Sequence, residues 1–162
     1  MKTRNLPAAA LVSVALALLV SSQLSAQTDE TKSDGTTRYE KKSTGTRELV
    51  GVGGLTIKML VEAVNLGGAE VEVGEITFPA GTRGADHRHG SIEIFYVLSG
   101  TMDHVVDGVS HVLEPGMVGI VRPGDSVAHR VVSEEPVRAL VIWAPGGESD
   151  RLARVFEERA IE

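Results

Sequence analysis

Residues 81–100 read GTRGADHRHGSIEIFYVLSG and combine a His-x-His pair with a downstream glutamate. His87, His89 and Glu93 have the same parity, so in an extended chain their side chains point to one side of a sheet. Adjacent residues on one face lie about 6.6 Å apart, and imidazoles that lean together can meet at one ion with bonds of about 2.1 Å. Phe95 continues this face. The spacing therefore predicts a metal-binding geometry that projects into an apolar interior.

A later histidine is a candidate for the third nitrogen ligand. His129 shares its strand face with Val127 and Val131, and it could reach the same ion from across a barrel. The alternative is that these are scattered surface histidines. A buried, charged Glu93 without a cation partner would be costly, which favours the metal site.

Alternating apolar and polar residues fill the chain on both sides of this segment. Between residues 55 and 63, Leu55, Ile57 and Met59 share one face, as in a half-buried strand. Further strands are predicted at Ile92–Leu98, Met102–Val106, Val109–Leu113, Val118–Val121, Ala128–Val132 and Val137–Trp143, nearly all separated by turn residues. Short strands at this spacing favour an all-β sandwich or barrel.

Two local features interrupt the alternation. The apolar parity shifts across Gly74, which predicts a β-bulge near that residue. Near the end of the chain, Leu152, Val155 and Phe156 recur at helical spacing behind Ser149, a candidate cap. We therefore expect a short C-terminal helix.

Composition excludes several classes of protein. The chain has 162 residues, enough for one domain with a core, and its formal charge is −6 with no basic cluster, which disfavours nucleic-acid binding. It contains no cysteine. Disulfides, thiolate metal sites, a cysteine nucleophile and lipoprotein anchoring are therefore excluded.

The first 26 residues are typical of a signal peptide. Lys2 and Arg4 precede an apolar run that ends before Leu24-Ser25-Ala26, a small-x-small cleavage pattern. The run of about 13 apolar residues is shorter than the roughly 20 that a membrane-spanning helix needs. We expect cleavage after residue 26, export to the periplasm or medium, no remaining membrane attachment, a flexible polar tether over residues 27–46, and a folded domain over residues 47–162.

The segment with the His-x-His pair resembles the first motif of the cupin superfamily. That motif places a glycine, two histidines, a glutamate and a second glycine at fixed spacing, and this chain matches it with Gly81, His87, His89, Glu93 and Gly100. Fifteen residues then lead to the second motif, as in compact microbial cupins. There the chain keeps Gly116 and His129, but Arg122 stands where the proline is expected and Pro123-Gly124 comes next. Four residues rather than two then precede the histidine, and Ser133 stands in place of asparagine.

The resemblance implies a double-stranded β-helix, or jelly-roll barrel, that carries one metal ion. It implies three histidine ligands and one glutamate, here His87, His89, His129 and Glu93, with open positions for water, dioxygen or substrate. Such a set suits Fe, Mn, Ni, Cu or Zn in the divalent state. It also implies a homodimer.

The cupin resemblance leaves three functions open. The first is an oxidoreductase of the dioxygenase type, similar to quercetin dioxygenases, that acts on a small oxygen-rich molecule, with Glu93 as ligand or general base. The second is a redox-silent lyase, decarboxylase or sugar isomerase. The third is a non-catalytic module that binds a small ligand. An intact ligand set argues against the third.

Three other side chains have weaker functional interpretations. Arg83 precedes the ligand pair in a loop and could clamp a substrate carboxylate, although a solvated arginine is the simpler interpretation. His104 and His111 lie on predicted strands and could edge a pocket. We expect both to be ordinary surface or half-buried histidines.

Overall fold

The computed structural model describes residues 39–161, so the predicted signal peptide and most of the predicted tether lie outside the described residues. The strands are β1 (Arg47–Val50), β2 (Thr56–Val61), β3 (Glu72–Phe78), β4 (His87–Arg88), β5 (Ile92–Ser99), β6 (Met102–Val106), β7 (Val109–Leu113), β8 (Val118–Val121), β9 (Ser126–Val131), β10 (Val137–Ala144) and β11 (Glu157–Ala160). Two short helices are α1 (Ala63–Leu66) and α2 (Glu148–Leu152), and a 3-10 turn spans Val52–Gly54.

Two antiparallel sheets enclose the core. The larger has the strand order β11-β1-β2-β3-β10-β5-β8, and the smaller has the order β4-β9-β6-β7. Inward-facing side chains of both sheets form one apolar cluster that includes Ile57, Phe78, Phe95, Met102 and Trp143. Inner and outer residues alternate along β3, β5, β8 and β10, as expected of packed sheets. The predicted all-β jelly-roll architecture is confirmed.

The predicted irregularity near Gly74 lies on the partner strand. Residues of β3 keep one parity, with Gly74, Ile76 and Phe78 buried, while the register of β2 against β3 shifts between Met59 and Val61. A Cβ on Gly74 would stand 2.7 Å from a methyl of Ile57. Glycine at this position therefore leaves room for the core, and the extra residue of the bulge belongs to β2.

The C-terminal helix is shorter than the sequence pattern predicts. It ends at Leu152, and its N-cap is Gly147. Val155 is exposed, and the chain then forms β11, which pairs with β1. The helical spacing of three apolar residues does not show where the helix ends. It ends early because the following residues pair as a strand with β1, more than a hundred positions earlier in the chain.

Ser149 holds α2 against the barrel and does not cap it. Its buried hydroxyl lies 2.9 Å from Glu62 Oε1 and 2.7 Å from Glu72 Oε1, and its backbone N–H donates to Glu72 Oε2 at 3.0 Å. Arg47 donates to Glu62 and to Asp150 from the same side. These contacts fix where α2 lies on the large sheet. Within residues 39–161, no helix is long and apolar enough to cross a bilayer.

Candidate metal centre

The four predicted ligands come from three parts of the barrel. His87 lies on β4, His89 follows it in the turn to β5, Glu93 faces inward from β5, and His129 faces inward from β9. Pairing of His87 with Val127 places β4 beside β9. The antiparallel register therefore brings His129 to the His-x-His pair despite the altered spacing of its motif.

The four side chains are neighbours inside the barrel. His89 Nε2 lies 3.1 Å from Glu93 Oε2, and His129 Nε2 lies 3.5 Å from Glu93 Oε1. The His87 ring centre is 4.8 Å from that of His89 and 5.6 Å from that of His129. His89, Glu93 and His129 are buried, and His87 is half-buried.

Three atoms of this cluster that could bind a metal are buried and have no hydrogen-bond partner. They are His89 Nε2, Glu93 Oε1 and His129 Nε2. The two contacts between imidazole and carboxylate are short enough for electrostatic attraction, but they are not aligned as hydrogen bonds. Over the described range, no group of three or more His, Asp or Glu side chains is placed so that it could hold a metal ion as it stands. Metal binding by this cluster therefore stays a prediction.

Glu93 is held in its charged form. The indole Nε1 of Trp143 donates to Glu93 Oε2 at 3.0 Å, across the β5–β10 pair. Burial opposes the charge, but the nearby imidazoles of His129 and His89 outweigh it and hold the pKa of Glu93 well below its usual range. The carboxylate is thus ionised and pre-oriented, as a ligand or a base requires.

The outer ring nitrogens of the His-x-His pair have their own partners. His87 Nδ1 lies 3.0 Å from the carbonyl oxygen of Ala85, and burial lowers the pKa of His87 despite this contact. His89 Nδ1 lies 3.3 Å from Glu148 Oε2. Burial disfavours the charged imidazole, but Glu93 and Glu148 outweigh it and raise the pKa of His89. A donor bond from Nδ1 leaves Nε2 free to bind a metal.

Two side chains of α2 that sequence analysis did not identify lie next to the centre. Glu148 is buried, accepts from the Gly90 N–H at 2.9 Å and from Arg151 Nε at 2.5 Å, and has a pKa below its usual range because these bonds outweigh burial. Arg151 Nη2 lies 3.3 Å from His89 Nδ1. Neither residue belongs to the cupin motifs. The helical pattern around Leu152 predicted a helix but not its position over the site.

A cavity of about 200 Å³ opens onto the cluster. The residues that line it are Ile57, Ile76, Phe78, His87, His89, Glu93, Phe95, His129, Trp143, Arg151 and Leu152. Arg83, for which a carboxylate clamp was the alternative to a solvated side chain, is exposed and does not line this cavity. The site is therefore a small pocket with apolar walls and a cluster of nitrogen and oxygen donors.

His104 is buried, contrary to the expectation of a surface or half-buried residue. Its side chain on β6 pairs across strands with His129 and with the exposed His111, and its ring centre is 5.1 Å from that of His129. Neither ring nitrogen has a hydrogen-bond partner. Burial, reinforced by His129, lowers the pKa of His104 to about 4. Alternation alone could not show that β6 is an inner strand covered on this face by β5.

Comparison with known proteins agrees with this architecture. The cupin domain family model matches residues 74–143. An RmlC-like cupin from Shewanella frigidimarina is similar in structure, with a TM-score of 0.57 and 26% identity over 71% of this chain and 99% of that one. Among curated proteins, none matches the chain.

Two further solved structures share the fold at lower identity. A predicted oxalate decarboxylase from Thermotoga maritima has a TM-score of 0.56 and 18% identity over 63% of this chain and 94% of that one. KdgF from a Halomonas species has a TM-score of 0.54 and 16% identity over 63% and 91%. The match of residues 74–143 to the cupin domain family model, the jelly-roll sheets and the placement of His87, Glu93 and His129 on β4, β5 and β9 together support membership of the cupin superfamily.

Proposed function

We propose that this chain is an exported, metal-dependent cupin in which His87, His89, Glu93 and His129 hold one divalent transition metal. The observation that carries the proposal is the set of three buried donor atoms, on three different side chains, that lack hydrogen-bond partners. Each such atom costs about 1–3 kcal/mol when it stays unsatisfied. A shared cation would satisfy all three.

Two distances between candidate ligand atoms lie close to those expected of a shared ion. Two ligands that bind one ion at about 2.1 Å lie about 3.0–3.4 Å apart at octahedral or tetrahedral angles. His89 Nε2 lies 3.1 Å from Glu93 Oε2, and His129 Nε2 lies 3.5 Å from Glu93 Oε1, so each imidazole approaches a different oxygen of the carboxylate. The second nitrogens of His87 and His89 face a carbonyl and a carboxylate, the partners that usually orient metal-binding imidazoles.

We infer further that the protein is an oxidoreductase of the dioxygenase type on a small oxygen-containing molecule. A bound ion would supply Lewis acidity and, for a redox-active metal, electron transfer to or from dioxygen. The chain's own residues would do the rest. Trp143 holds the Glu93 carboxylate in place as a ligand or a base, and Phe78 and Phe95 form apolar walls of the cavity. Among the residues that line the cavity, Glu93 is the one carboxylate.

The test is metal analysis of the full protein purified from the exported fraction, followed by an oxygen-uptake screen after iron is restored. One iron per chain with oxygen consumption would support the proposal. Zinc or manganese without uptake would favour a redox-silent lyase, decarboxylase or isomerase, and metal well below one per chain would favour a binding module. The mass of the same sample tests export, because cleavage after residue 26 leaves a chain that begins at Gln27.

We also propose a homodimer, formed through the outer face of the large sheet. This face is apolar where β5 pairs with β8, with Ile94 opposite Ile120 and Tyr96 opposite Val118. Ile120 is 61% exposed and Val118 48%. Contiguous apolar patches of this kind mark association surfaces. In analytical ultracentrifugation, Val118→Lys should dissociate the dimer, whereas the matched change at the exposed Val52 should not.

A further inference from the structure

The helix α2 covers one side of the candidate metal centre and places a cation beside it. Arg151 and Leu152 line the same cavity as His87, His89 and Glu93. Among the lining residues, Arg151 is the one with a permanent positive charge. Its side chain lines the cavity and is 46% exposed, so protein atoms do not enclose it completely.

Contacts to Glu148 and His89 position the guanidinium of Arg151. Its Nε donates to Glu148 Oε2 at 2.5 Å, and Glu148 is itself fixed by the Gly90 N–H at 2.9 Å. The Nη2 atom lies 3.3 Å from His89 Nδ1. The ion pair thus occupies Nε and leaves the terminal edge with Nη1 and Nη2 for a ligand in the cavity that this side chain lines. A planar fork of N–H donors is the group that binds a carboxylate with two parallel hydrogen bonds.

The walls of the cavity restrict what can carry that carboxylate. Apart from the four predicted ligands and Arg151, the lining side chains are apolar: Ile57, Ile76, Phe78, Phe95, Trp143 and Leu152. The volume of about 200 Å³ is below the usual range for drug-sized ligands. A ligand with several polar groups would leave some of them facing these walls without partners, which is costly.

We propose that Arg151 binds the carboxylate of a small substrate whose compact apolar body fills the cavity next to the metal centre. This narrows the substrate class of the proposed function to small monocarboxylates and rests on that function for the reaction. Binding of the carboxylate itself needs only Arg151, Glu148 and the apolar walls. Glu148 acts as a positioning residue because it fixes the orientation of the guanidinium.

The test compares isobutyrate with isobutanol, a neutral molecule of similar shape, by isothermal titration of the full protein with and without added Mn²⁺. We expect isobutyrate to bind the wild type, and Arg151→Gln to weaken it by about 10-fold or more while isobutanol binding stays unchanged. Arg151→Lys should keep part of the affinity. The matched control is Arg154→Gln, an exposed arginine of the same segment that does not line the cavity.

Unchanged isobutanol binding in Arg151→Gln shows that the pocket of the variant is folded. If Arg151→Gln binds neither ligand, the isobutyrate affinity of Arg151→Lys relative to the wild type is used instead. Equal isobutyrate affinity in the wild type and the Arg151 variants would overturn the inference, as would an equal loss in Arg154→Gln. The outcome for the metal is separate. If Mn²⁺ does not bind but isobutyrate binding depends on Arg151, the proposed function fails and this inference stands.

Discussion

The indole of Trp143 donates a hydrogen bond of 3.0 Å to Glu93, and both side chains are 2% exposed. The bond joins neighbouring strands, since Trp143 on β10 pairs directly with Glu93 on β5. It fixes one carboxylate oxygen and leaves the other, Oε1, without a hydrogen-bond partner beside His129. The relationship links strand register to the orientation of the charged group at the centre of the site.

Loss of this bond should weaken metal binding without unfolding the protein. Trp143→Phe keeps an aromatic ring in the core and removes the donor, and outer partners of metal ligands contribute about 10- to 100-fold in affinity. We expect the Kd for Mn²⁺ to rise by about 10-fold in a calorimetric titration. An unchanged Kd in a variant that unfolds at the wild-type temperature would show that the indole does not orient a ligand.

Glu93→Gln should reduce metal retention because the amide has no charge to offer the cation. The measurement is metal content after dialysis, with Glu75→Gln as a matched control at a partly exposed glutamate that pairs with Arg138. We expect the control to retain wild-type metal. If Glu93→Gln retains metal but stops turnover, Glu93 is a base and not a ligand.

Stability of the metal-free protein should fall in mild acid because of His104. Its folded pKa is about 4 and its ordinary value is 6.5, so between these values the unfolded chain takes up a proton that the folded chain does not. The contribution of neutral His104 to the free energy of unfolding is fully present above about pH 7. It decreases as the pH falls towards 4 and is about 2 kcal/mol smaller at pH 5. The groups that face it are His129, His111, Glu93 and Asp103.

The check is urea unfolding at pH 5 and pH 7.5 for the wild type and His104→Phe. The other ionisable groups titrate in both proteins, so the difference in their pH dependence isolates residue 104. We expect the wild type to lose about 2 kcal/mol more than the variant between the two pH values. Parallel losses in the two proteins would mean that His104 takes up its proton equally in the folded and unfolded states.

Ser149→Ala should destabilise the fold, since the hydroxyl bridges two buried carboxylates. The hydroxyl has one proton to donate, so its removal leaves one of the two nearby oxygens, Glu62 Oε1 or Glu72 Oε1, with one partner fewer, which we expect to cost about 1–3 kcal/mol. Thermal unfolding of Ser149→Ala and of Ser110→Ala, a change at an exposed serine, measures the difference. The exposed change should have an effect of less than about 0.5 kcal/mol.

The residues that sequence analysis located correctly are those with local periodicity. Met102–Val106, Val109–Leu113 and Val118–Val121 were predicted with the observed bounds, because alternation and flanking turns lie within a few residues of each strand. The spacing of His87, His89 and Glu93 likewise predicted that the three side chains would come together. These features depend on neighbours along the chain.

The features that sequence analysis missed depend on distant contacts. Strand β11 has four exposed residues and no apolar alternation, and it exists because it pairs with β1. His104 is buried because another sheet covers its face. Glu148 and Arg151 reach the centre because Ser149 fixes α2 beside Glu62 and Glu72, and no local pattern around residue 148 indicates this.

The central claim is that His87, His89, Glu93 and His129 hold one divalent ion, and a Co²⁺ titration followed by visible absorption tests it most directly. The prediction is one ion per chain, weaker binding at pH 5 than at pH 8 because the imidazoles must be deprotonated, and loss of the spectrum in His129→Gln but not in His111→Gln. Absence of stoichiometric binding, or equal affinity at both pH values with no effect of His129→Gln, would contradict it.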